Sequence, residues 1–208
     1  MTDKGLPSND LRSTQDVMPM MGDDLNTDEE LEVVNIVGSG DIGREIDIRQ
    51  LQRNLCVLEA EINEQMHALL IRFEANKGLI ILYRTGKYII RGGSSRSVFE
   101  ETNNNFLSKI SELGVISDEY APNESITNIV YSADLGNNVE LERLMLQVGM
   151  ENAEFEPEQF PGLIYRPEDE EVVILIFSTG KVLITGTADE GSAARAYSQL
   201  RQQIKQMR

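Results

Sequence analysis

Apolar residues along this 208-residue chain repeat at two spacings, and the same succession of spacings occurs twice. Short apolar segments with turn residues between them predict strands, and each half closes on a longer segment with helical spacing. In the second half the helical spacing i, i+3, i+4, i+7 is followed by Ala193, Ala196, Tyr197, Leu200 and Ile204. The pattern predicts an α+β unit built twice, each unit an antiparallel meander with helices on one side.

Each unit is predicted to contain a strand, a short helix, four further strands and a long closing helix. In the second unit these elements cover residues 125–133, 140–147, 150–156, 162–166, 171–178, 181–186 and 188–207. In the first unit the opening strand, the short helix and the long helix cover residues 32–39, 47–55 and 95–113.

Residue identities also recur between the units. Asn35-Ile36-Val37 returns at position 128, an offset of 93, and Thr85-Gly86-Lys87 returns at position 179, an offset of 94. Further identities keep these offsets with a single slip of one residue, so the chain contains an internal duplication. We predict a first repeat over residues 31–119 and a second over residues 120–208. The Thr-Gly-Lys sequence in each repeat predicts a tight hairpin turn.

Residues 1–30 show no sustained period and are predicted to be a disordered acidic tail. They hold eight acids against Lys4 and Arg12, which gives the tail a charge of −6 and leaves −10 of the chain's −16 for the rest. Within the tail, Met18-Pro19-Met20-Met21 is either a weak docking motif or an ordinary part of a polar tail, and the ordinary tail is the simpler interpretation.

The net charge of −16 argues against a nucleic-acid partner, because phosphate binding depends on Lys and Arg. Two observations weaken that argument. The tail holds part of the charge, and an acidic surface is also typical of proteins from a high-salt cytoplasm. The six Lys against thirteen Arg are compatible with such a halophilic origin, which we state as a hypothesis.

Composition argues against several other classes of protein. With one cysteine, Cys56, the chain can form no internal disulfide framework and no CxxC metal site, and a single His argues against a His-based zinc site. Cys56 is expected to be a small core residue and His67 to lie at a sheet edge. No apolar run is long enough to span a membrane and no signal sequence is found, so a cytoplasmic protein is expected. No nucleophile–base pair or convergent carboxylate set is found, and neither catalysis nor a cofactor is predicted.

The predicted strand over residues 171–178 is apolar at every position from 172 to 177, and residues 79–82 repeat this feature in the first unit. If one set of alternate residues packs under the helices, then Val173, Leu175 and Phe177 face outward, where an antiparallel strand normally exposes polar residues. A contiguous apolar sheet face implies a partner. A second layer or a dimer would also cover this face, and the sequence leaves these alternatives open.

Gly38-Ser39-Gly40-Asp41-Ile42-Gly43 fits the GxGxxG pattern of a dinucleotide site, since it follows a strand and precedes a helix. Tyr131 and Ala133 replace two of the three glycines in the second repeat. The elements that follow are also a meander, not a βαβ crossover. We therefore predict no nucleotide site here.

Several segments of the second repeat are specific enough to indicate a family. Residues 156–166 (EPEQFPGLIYR), 175–181 (LIFSTGK) and 184–186 (ITG), with Asn128-Ile129-Val130, closely resemble the TATA-box-binding protein family, general transcription factors of archaea and eukaryotes. The resemblance covers residues 32–207, with both halves in order. It implies a saddle of two repeats, in which a curved ten-stranded antiparallel sheet forms the concave face and four helices lie on the convex face.

The resemblance also implies a function. Such a protein binds and bends A/T-rich promoter DNA, the TATA box, through the minor groove, and presents the complex to transcription factor B and RNA polymerase. An apolar sheet face suits the minor groove, which shows few distinguishing groups. The implied location is the nucleoid in the cytoplasm of an archaeal cell.

The matching positions give each residue its implied role. Phe160 and Phe177 match the pair that wedges between base steps, and Asn128 and Thr185 match the central hydrogen-bonding positions, with Asn35 as the symmetric Asn. The apolar floor is matched by Val37, Ile81, Ile89, Val130, Leu175 and Leu183. Contacts to phosphates are matched by Arg72, Thr85, Lys87, Arg166, Thr179 and Lys181. The contact to factor B is matched by Glu156, Glu158 and Gln159.

The first repeat departs from the family pattern at its DNA-reading positions. Met66 and Tyr83 stand where the family has Phe, His67-Ala68 replaces the Pro-Gly after the first wedge, and Arg91 stands at the position of Thr185. These remain the implied minor-groove positions of this repeat. The alternative function is a divergent paralogue, acting as a promoter-selective regulator or as a protein-interaction module with weak or altered DNA binding.

Overall fold

The structure is a computed structural model that describes residues 31–75, 77–117, 120 and 123–207. The predicted tail over residues 1–30 lies outside the described residues. The described part of the chain forms strands and helices in the same order twice.

The elements begin and end close to their predicted positions. The first repeat contains β1 (Glu32–Asp41), α1 (Ile48–Asn54), β2 (Glu59–Asn63), β3 (Ala68–Arg72), β4 (Leu79–Tyr83), β5 (Lys87–Gly93) and α2 (Arg96–Glu112). The second repeat contains β6 (Ser125–Asp134), α3 (Leu141–Val148), β7 (Ala153–Glu154), β8 (Gly162–Tyr165), β9 (Val173–Phe177), β10 (Lys181–Thr187) and α4 (Glu190–Gln206).

Within the described ranges, the ten strands form one antiparallel sheet in the order β2-β3-β4-β5-β1-β6-β10-β9-β8-β7. The order from each edge inward is the same in both repeats. The repeats join where β1 pairs with β6, with Ile36 opposite Ile129 and Val37 opposite Asn128. Equivalent residues thus meet across an approximate twofold axis, as a duplicated unit requires.

Helices cover one face of this sheet: α1 packs against β2 and β3, α2 against β5, α3 against β7 and β8, and α4 against β10. Alternate residues of β9 confirm the predicted division of faces. Ile174 and Ile176 are fully buried under the helices, whereas Val173, Leu175 and Phe177 stay partly exposed on the other side. We call the side without helices the open face; it carries Val37, Ile81, Ile89, Val130, Leu175 and Leu183.

The glycines of the GxGxxG pattern make room for aromatic rings on the helix-covered face. An added Cβ at Gly38 would overlap the ring of Phe99, and one at Gly40 would overlap the ring of Tyr88. The helix-covered side of β1 is therefore filled by side chains from α2 and β5. Gly38 and Gly40 therefore serve packing.

The second repeat distributes the same core volume differently. Tyr131 stands at the position of Gly38 and is itself buried. The positions that match Tyr88 and Phe99 hold the smaller residues Val182 and Ala193, both buried. In the first repeat the large side chains come from β5 and α2, whereas in the second the large side chain comes from β6. The total side-chain volume in the core is thus similar in the two repeats.

Buried polar groups in this core have partners. Burial raises the pKa of Tyr88, Tyr131 and Tyr165 above the ordinary value of a phenol. The Tyr88 hydroxyl donates to Oδ1 of Asn103 at 3.0 Å, and Nδ2 of Asn103 donates to the carboxylate of Glu124. This chain of hydrogen bonds ties α2 to the segment that leads into β6.

Two sequence-based expectations are wrong in detail. The strand predicted over residues 150–156 is reduced to the two residues of β7, because α3 is followed by Gly149 at φ 92° and the Asn152 N–H donates to the Gly149 carbonyl at 3.1 Å, which makes a turn. Cys56 is exposed and does not belong to the core. It follows the end of α1, where Leu55 and Val57 pack inward and leave the residue between them outside.

His67 lies at the turn between β2 and β3, exposed, with a left-handed φ of 50°. No helix among the described residues is long and apolar enough to cross a membrane. In the same ranges, no three His, Cys, Asp or Glu side chains are grouped as they would be around a metal ion.

Candidate nucleic-acid interface

Two rows of side chains cross the open face, one in each repeat. In register they are Glu61, Leu70, Ile81, Ile89 and Ser39 in the first repeat, and Glu154, Ile164, Leu175, Leu183 and Ser132 in the second. Ile81 is only 4% exposed, because Leu70 and Ile89 flank it from both neighbouring strands. Each row therefore has an apolar centre, with a carboxylate at its outer end and a serine at its inner end.

The centre of the open face holds a hydrogen-bonded Asn in the second repeat. The Gly186 N–H donates to Oδ1 of Asn128 at 2.8 Å, in a β10 strand whose register shifts between Ile184 and Thr187. Because a backbone N–H can only donate, this contact fixes which end of the amide is the oxygen. Nδ2 of Asn128 donates to the Thr185 hydroxyl at 3.0 Å, so the amide and the hydroxyl form one polar group on the face.

The first repeat builds the same Asn without the hydroxyl partner. The Gly92 N–H donates to Oδ1 of Asn35 at 2.9 Å, which fixes this amide in the same way. The position of Thr185 is taken by Arg91, which is exposed and lies opposite Val37 on β1 and Leu79 on β4. The structure therefore places a cation where the second repeat has a neutral hydroxyl.

Phe160 and Phe177 form the ring pair at the outer part of the second repeat. Their centroids are 5.8 Å apart and the rings meet edge to face at 62°. Gly162 lies opposite Phe177 in the β8–β9 pairing, and a Cβ at Gly162 would come within 2.8 Å of the Phe160 ring and 3.2 Å of the Phe177 ring. The ring pair thus depends on Gly162. The sequence alone did not indicate this role, although the Pro161-Gly162 pair directly after Phe160 is a signal that could have identified it.

The first repeat has no equivalent ring pair. Ala68 stands at the position of Gly162, fully buried and opposite Tyr83. Met66 is 41% exposed at the hairpin, where its N–H donates to Oδ1 of Asn63. In the first repeat, the flexible side chain of Met66 and the ring of Tyr83 therefore replace the two packed rings, and the buried Ala68 replaces the glycine.

Basic hairpins line the rim of the open face. The Gly86 N–H donates to the Tyr83 carbonyl at 3.0 Å and the Gly180 N–H to the Phe177 carbonyl at 2.9 Å, which confirms the two predicted tight turns. Both glycines have φ near 90°. The residues beside them, Thr85, Lys87, Thr179 and Lys181, are exposed.

Each hairpin lysine faces an aspartate in register without forming an ion pair. Lys87 lies opposite Asp41 and Lys181 opposite Asp134. Oδ1 of Asp41 instead accepts the Gly43 N–H at 2.8 Å, and Asp134 makes the same contact within its own turn. Among the described residues neither lysine has an ion-pair partner, so both ammonium groups can meet an anion.

The two arginines predicted at the strand edges are paired with carboxylates. Arg72 contacts Glu59 at 3.2 Å, and Arg166 lies 3.9 Å from Glu154. Arg84 is an exposed cation before the first hairpin, where the second repeat has Ser178. It lines a cleft at the start of α1 together with the acids Glu45, Asp47 and Glu64.

The predicted factor B residues form an acidic turn before the second ring pair. The Gln159 and Phe160 N–H groups both donate to the Glu156 carbonyl at 2.9 Å, and the Gln159 amide donates to the Glu156 carboxylate. Glu156, Glu158 and Gln159 are all exposed. The turn therefore presents its acids to solvent and holds Phe160 at its end.

Together these features define a class of protein: a two-repeat saddle whose open sheet face carries central amides, an aromatic pair and basic hairpins. The family model described as transcription factor TFIID, or TATA-binding protein, TBP, matches residues 30–113 and 123–207. The chain belongs to this family. Its members bind promoter DNA in transcription initiation and are not a class of enzymes.

Similar proteins come from archaea. The chain is 40% identical over 178 residues to TATA-box-binding protein C of Halobacterium salinarum, covering 85% of this chain and 98% of that protein. It is 32% identical over 179 residues to the TATA-box-binding protein of Archaeoglobus fulgidus, covering 86% and 96%. The solved structure of Methanococcus jannaschii TBP matches with a TM-score of 0.73 and 36% identity, over 85% of this chain and 99% of that one.

Proposed function

We propose that this chain initiates transcription by binding A/T-rich promoter DNA through the minor groove, bending it, and presenting the bent complex to transcription factor B and RNA polymerase. The observation that carries the proposal is the layout of the second repeat. A fixed amide–hydroxyl pair, Asn128 and Thr185, lies at the centre, an apolar floor lies beside it, and the Phe160–Phe177 pair lies further out.

The central amides supply the donors that the minor groove requires. A·T pairs present only the acceptors A N3 and T O2 there, whereas a G·C pair adds an amino donor. Since Gly186 and Gly92 occupy the amide oxygens of Asn128 and Asn35, the Nδ2 groups are the ends left for DNA. This arrangement favours A·T steps at the middle of the site.

The apolar floor and the rings suit a deformed duplex. Apolar side chains that enter between base steps unstack them and kink the DNA away from the protein, which widens the groove over the sheet. Phe160 and Phe177 are partly exposed and pack on each other at the outer part of the second repeat. We propose that these two rings insert into one base step. Met66 and Tyr83 are proposed to insert, more weakly, into the corresponding step at the other end of the site.

Charge at the rim positions the duplex. Lys87, Lys181, Thr85 and Thr179 are proposed to contact phosphates from the two hairpins, with Arg84 as an added contact in the first repeat. Arg72 and Arg166 are proposed to exchange their carboxylate partners for phosphates on binding. The acidic turn at Glu156, Glu158 and Gln159 is proposed to meet basic groups of factor B.

The proposal extends to organisation and location. The repeats are taken to span residues 31–119 and 120–208, and the protein is placed with the nucleoid of an archaeal cell. Both statements rest on the duplication and on the DNA-binding role.

A gel shift with a bend measurement tests this function. A duplex containing a TATA element, labelled with a fluorophore at each end, should be retarded by the full chain, and energy transfer between its ends should rise as they approach. Factor B should supershift the complex, and a duplex with the element changed to G·C pairs is the matched control. The titration is run from low to molar salt on protein shown folded by circular dichroism. Folded protein that shifts neither duplex at any salt would refute the promoter role.

Arg91 supports a second candidate function, a paralogue with altered promoter preference. A guanidinium at the centre of the first repeat favours a narrow, electronegative groove over a widened one. Selection of bound sequences from random DNA distinguishes the two functions. A symmetric A/T consensus supports the general factor, whereas a consensus degenerate over one half supports the selective paralogue.

A further inference from the structure

A basic cleft lies on the helix-covered side of the second repeat, away from the open face. It has a volume of about 340 Å³ and lies between the loop after β6, the start of α3 and the last turns of α4. Arg143, Arg201 and Lys205 line it against one acid, Glu140. In a chain of net charge −16, such an excess of cations is a local exception that calls for an anionic occupant.

The cleft also has apolar walls. Leu135, Ile204 and Met207 line it, so an occupant with both acids and apolar side chains would match it. Arg201 lies over the ring of Tyr197, its guanidinium carbon 5.9 Å from the ring centre. Arg143 and Lys205 form no ion pair with any described residue, and their charges are available to an occupant.

The first repeat provides an internal comparison. At the offsets of the duplication, the positions of Arg143, Arg201 and Lys205 hold Gln50, Leu107 and Ser111. The corresponding cleft of the first repeat is lined by Arg44 against the two acids Glu45 and Asp47. The cations are thus specific to the second repeat and are not required by the repeated fold.

The chain itself carries a segment of matching chemistry. Residues 1–30 have a charge of −6 and contain Met18-Pro19-Met20-Met21 among their acids. They join the fold at Leu31, next to Glu32, which lies opposite Ser132 on β6. Leu135 of the cleft is three residues beyond Ser132, about 10 Å along a strand. The ten residue-to-residue steps from Met21 to Leu31 can span roughly 33 Å, which is ample for this reach.

Charge selects this cleft over the groove on the open face that Leu31 also borders. That groove has Lys181 as its cation and two acids, Glu32 and Asp134, in its lining. It would repel an acidic segment, whereas the basic cleft attracts one. We propose that residues 1–30 dock in the cleft between α3 and α4 of the same chain, with Met18–Met21 on the apolar wall and acids at Arg143 and Lys205. The open face stays free for DNA in this arrangement.

A single fluorescent reporter tests the docking in the full chain. The chain contains no Trp, so Met20→Trp introduces a unique indole whose emission reports its surroundings. Docking predicts a blue-shifted emission relative to a synthetic peptide of residues 1–30 with the same substitution. Arg143→Glu with Lys205→Glu should return the emission to that of the peptide. The matched control reverses two exposed cations on the helices of the first repeat, Arg53→Glu with Arg96→Glu, and should leave the blue shift in place.

Four results would overturn the proposal: emission equal to that of the peptide, an equal response to both double variants, a response to Lys181→Glu instead, or a shift that disappears on dilution. The last two would place the segment on the open face or on a second molecule. Zero-length carbodiimide cross-linking of the natural sequence gives an independent measurement. It should join Lys205 to acids of residues 1–30 in preference to Lys87 or Lys181. None of these readouts uses DNA, so their outcome is independent of the proposed promoter function.

Discussion

The two repeats share one scaffold and place different chemistry on the open face. The second repeat has a hydroxyl at Thr185 and Ser178 before its hairpin, where the first has Arg91 and Arg84. The rings packed on each other in the second repeat have Met66 and Tyr83 as counterparts in the first. The first repeat therefore relies more on charge, and the second on rings and neutral hydrogen bonds. A duplicated sheet can keep its register while its two halves diverge in what they recognise.

The ring pair gives the largest expected difference between the repeats. Removing both rings with Phe160→Ala and Phe177→Ala should weaken binding to a TATA duplex at least about thirtyfold, since a base–aromatic contact contributes roughly 1–3 kcal/mol. Met66→Ala with Tyr83→Ala should weaken it less, because only the one ring of Tyr83 is lost. Fluorescence anisotropy of a labelled duplex measures both, with circular dichroism as the control for folding. Equal losses would show that the two repeats wedge equally well.

Core packing gives the next largest difference, and it is measured as stability. Gly40→Ala should destabilise the fold by about 1–3 kcal/mol, because the added methyl overlaps the Tyr88 ring. In the background of Tyr88→Val, which copies Val182 of the second repeat, the same Gly40→Ala change should cost less by at least about 0.5 kcal/mol. Urea unfolding of the four proteins completes the double-mutant cycle. If the two changes in stability are additive, the ring of Tyr88 is not the reason that position 40 requires glycine.

The sequence was sufficient to predict the order of elements and the two faces of the sheet. Residues 172–177 are apolar on both sides of the strand, which predicted one face under the helices and one apolar face without them. The fold confirms this, because Ile174 and Ile176 lie under helices and Leu175 does not. The hairpins were predictable because only glycine readily adopts the φ near 90° that Gly86 and Gly180 require.

Other features depend on contacts between distant residues and have no local pattern. β7 is short because the turn at Gly149 takes up residues whose sequence pattern predicted a strand. Gly162 matters only because two rings meet above it, and the Asn amides are oriented by glycines 57 and 58 residues away. The outward position of Cys56 depends on where α1 ends. Such details follow from the packed structure, not from periodicity.

Salt dependence sharpens the charge side of the comparison. Each phosphate contact removed should lower the slope of log K against log salt by about 1, because one counterion fewer is released. Arg84→Ala with Lys87→Ala should therefore reduce the slope by about 2, and Lys181→Ala by about 1. Arg53→Ala, an exposed cation on α1, is the matched control and should leave the slope unchanged. A larger change from Lys181→Ala than from the double variant would reverse the proposed division of charge between the repeats.

Arg91 gives the smallest expected change in affinity and the most direct test of asymmetry. Arg91→Thr places beside Asn35 the hydroxyl that Thr185 provides beside Asn128. One neutral hydrogen bond is worth about 1 kcal/mol, so affinity for a symmetric A/T duplex should change by less than about tenfold. The consensus selected from random DNA should become more symmetric in the half read by the first repeat. If the consensus of Arg91→Thr matches that of the natural sequence, the asymmetry of recognition lies in Met66 and Tyr83, and the guanidinium acts only as a general attraction for phosphate.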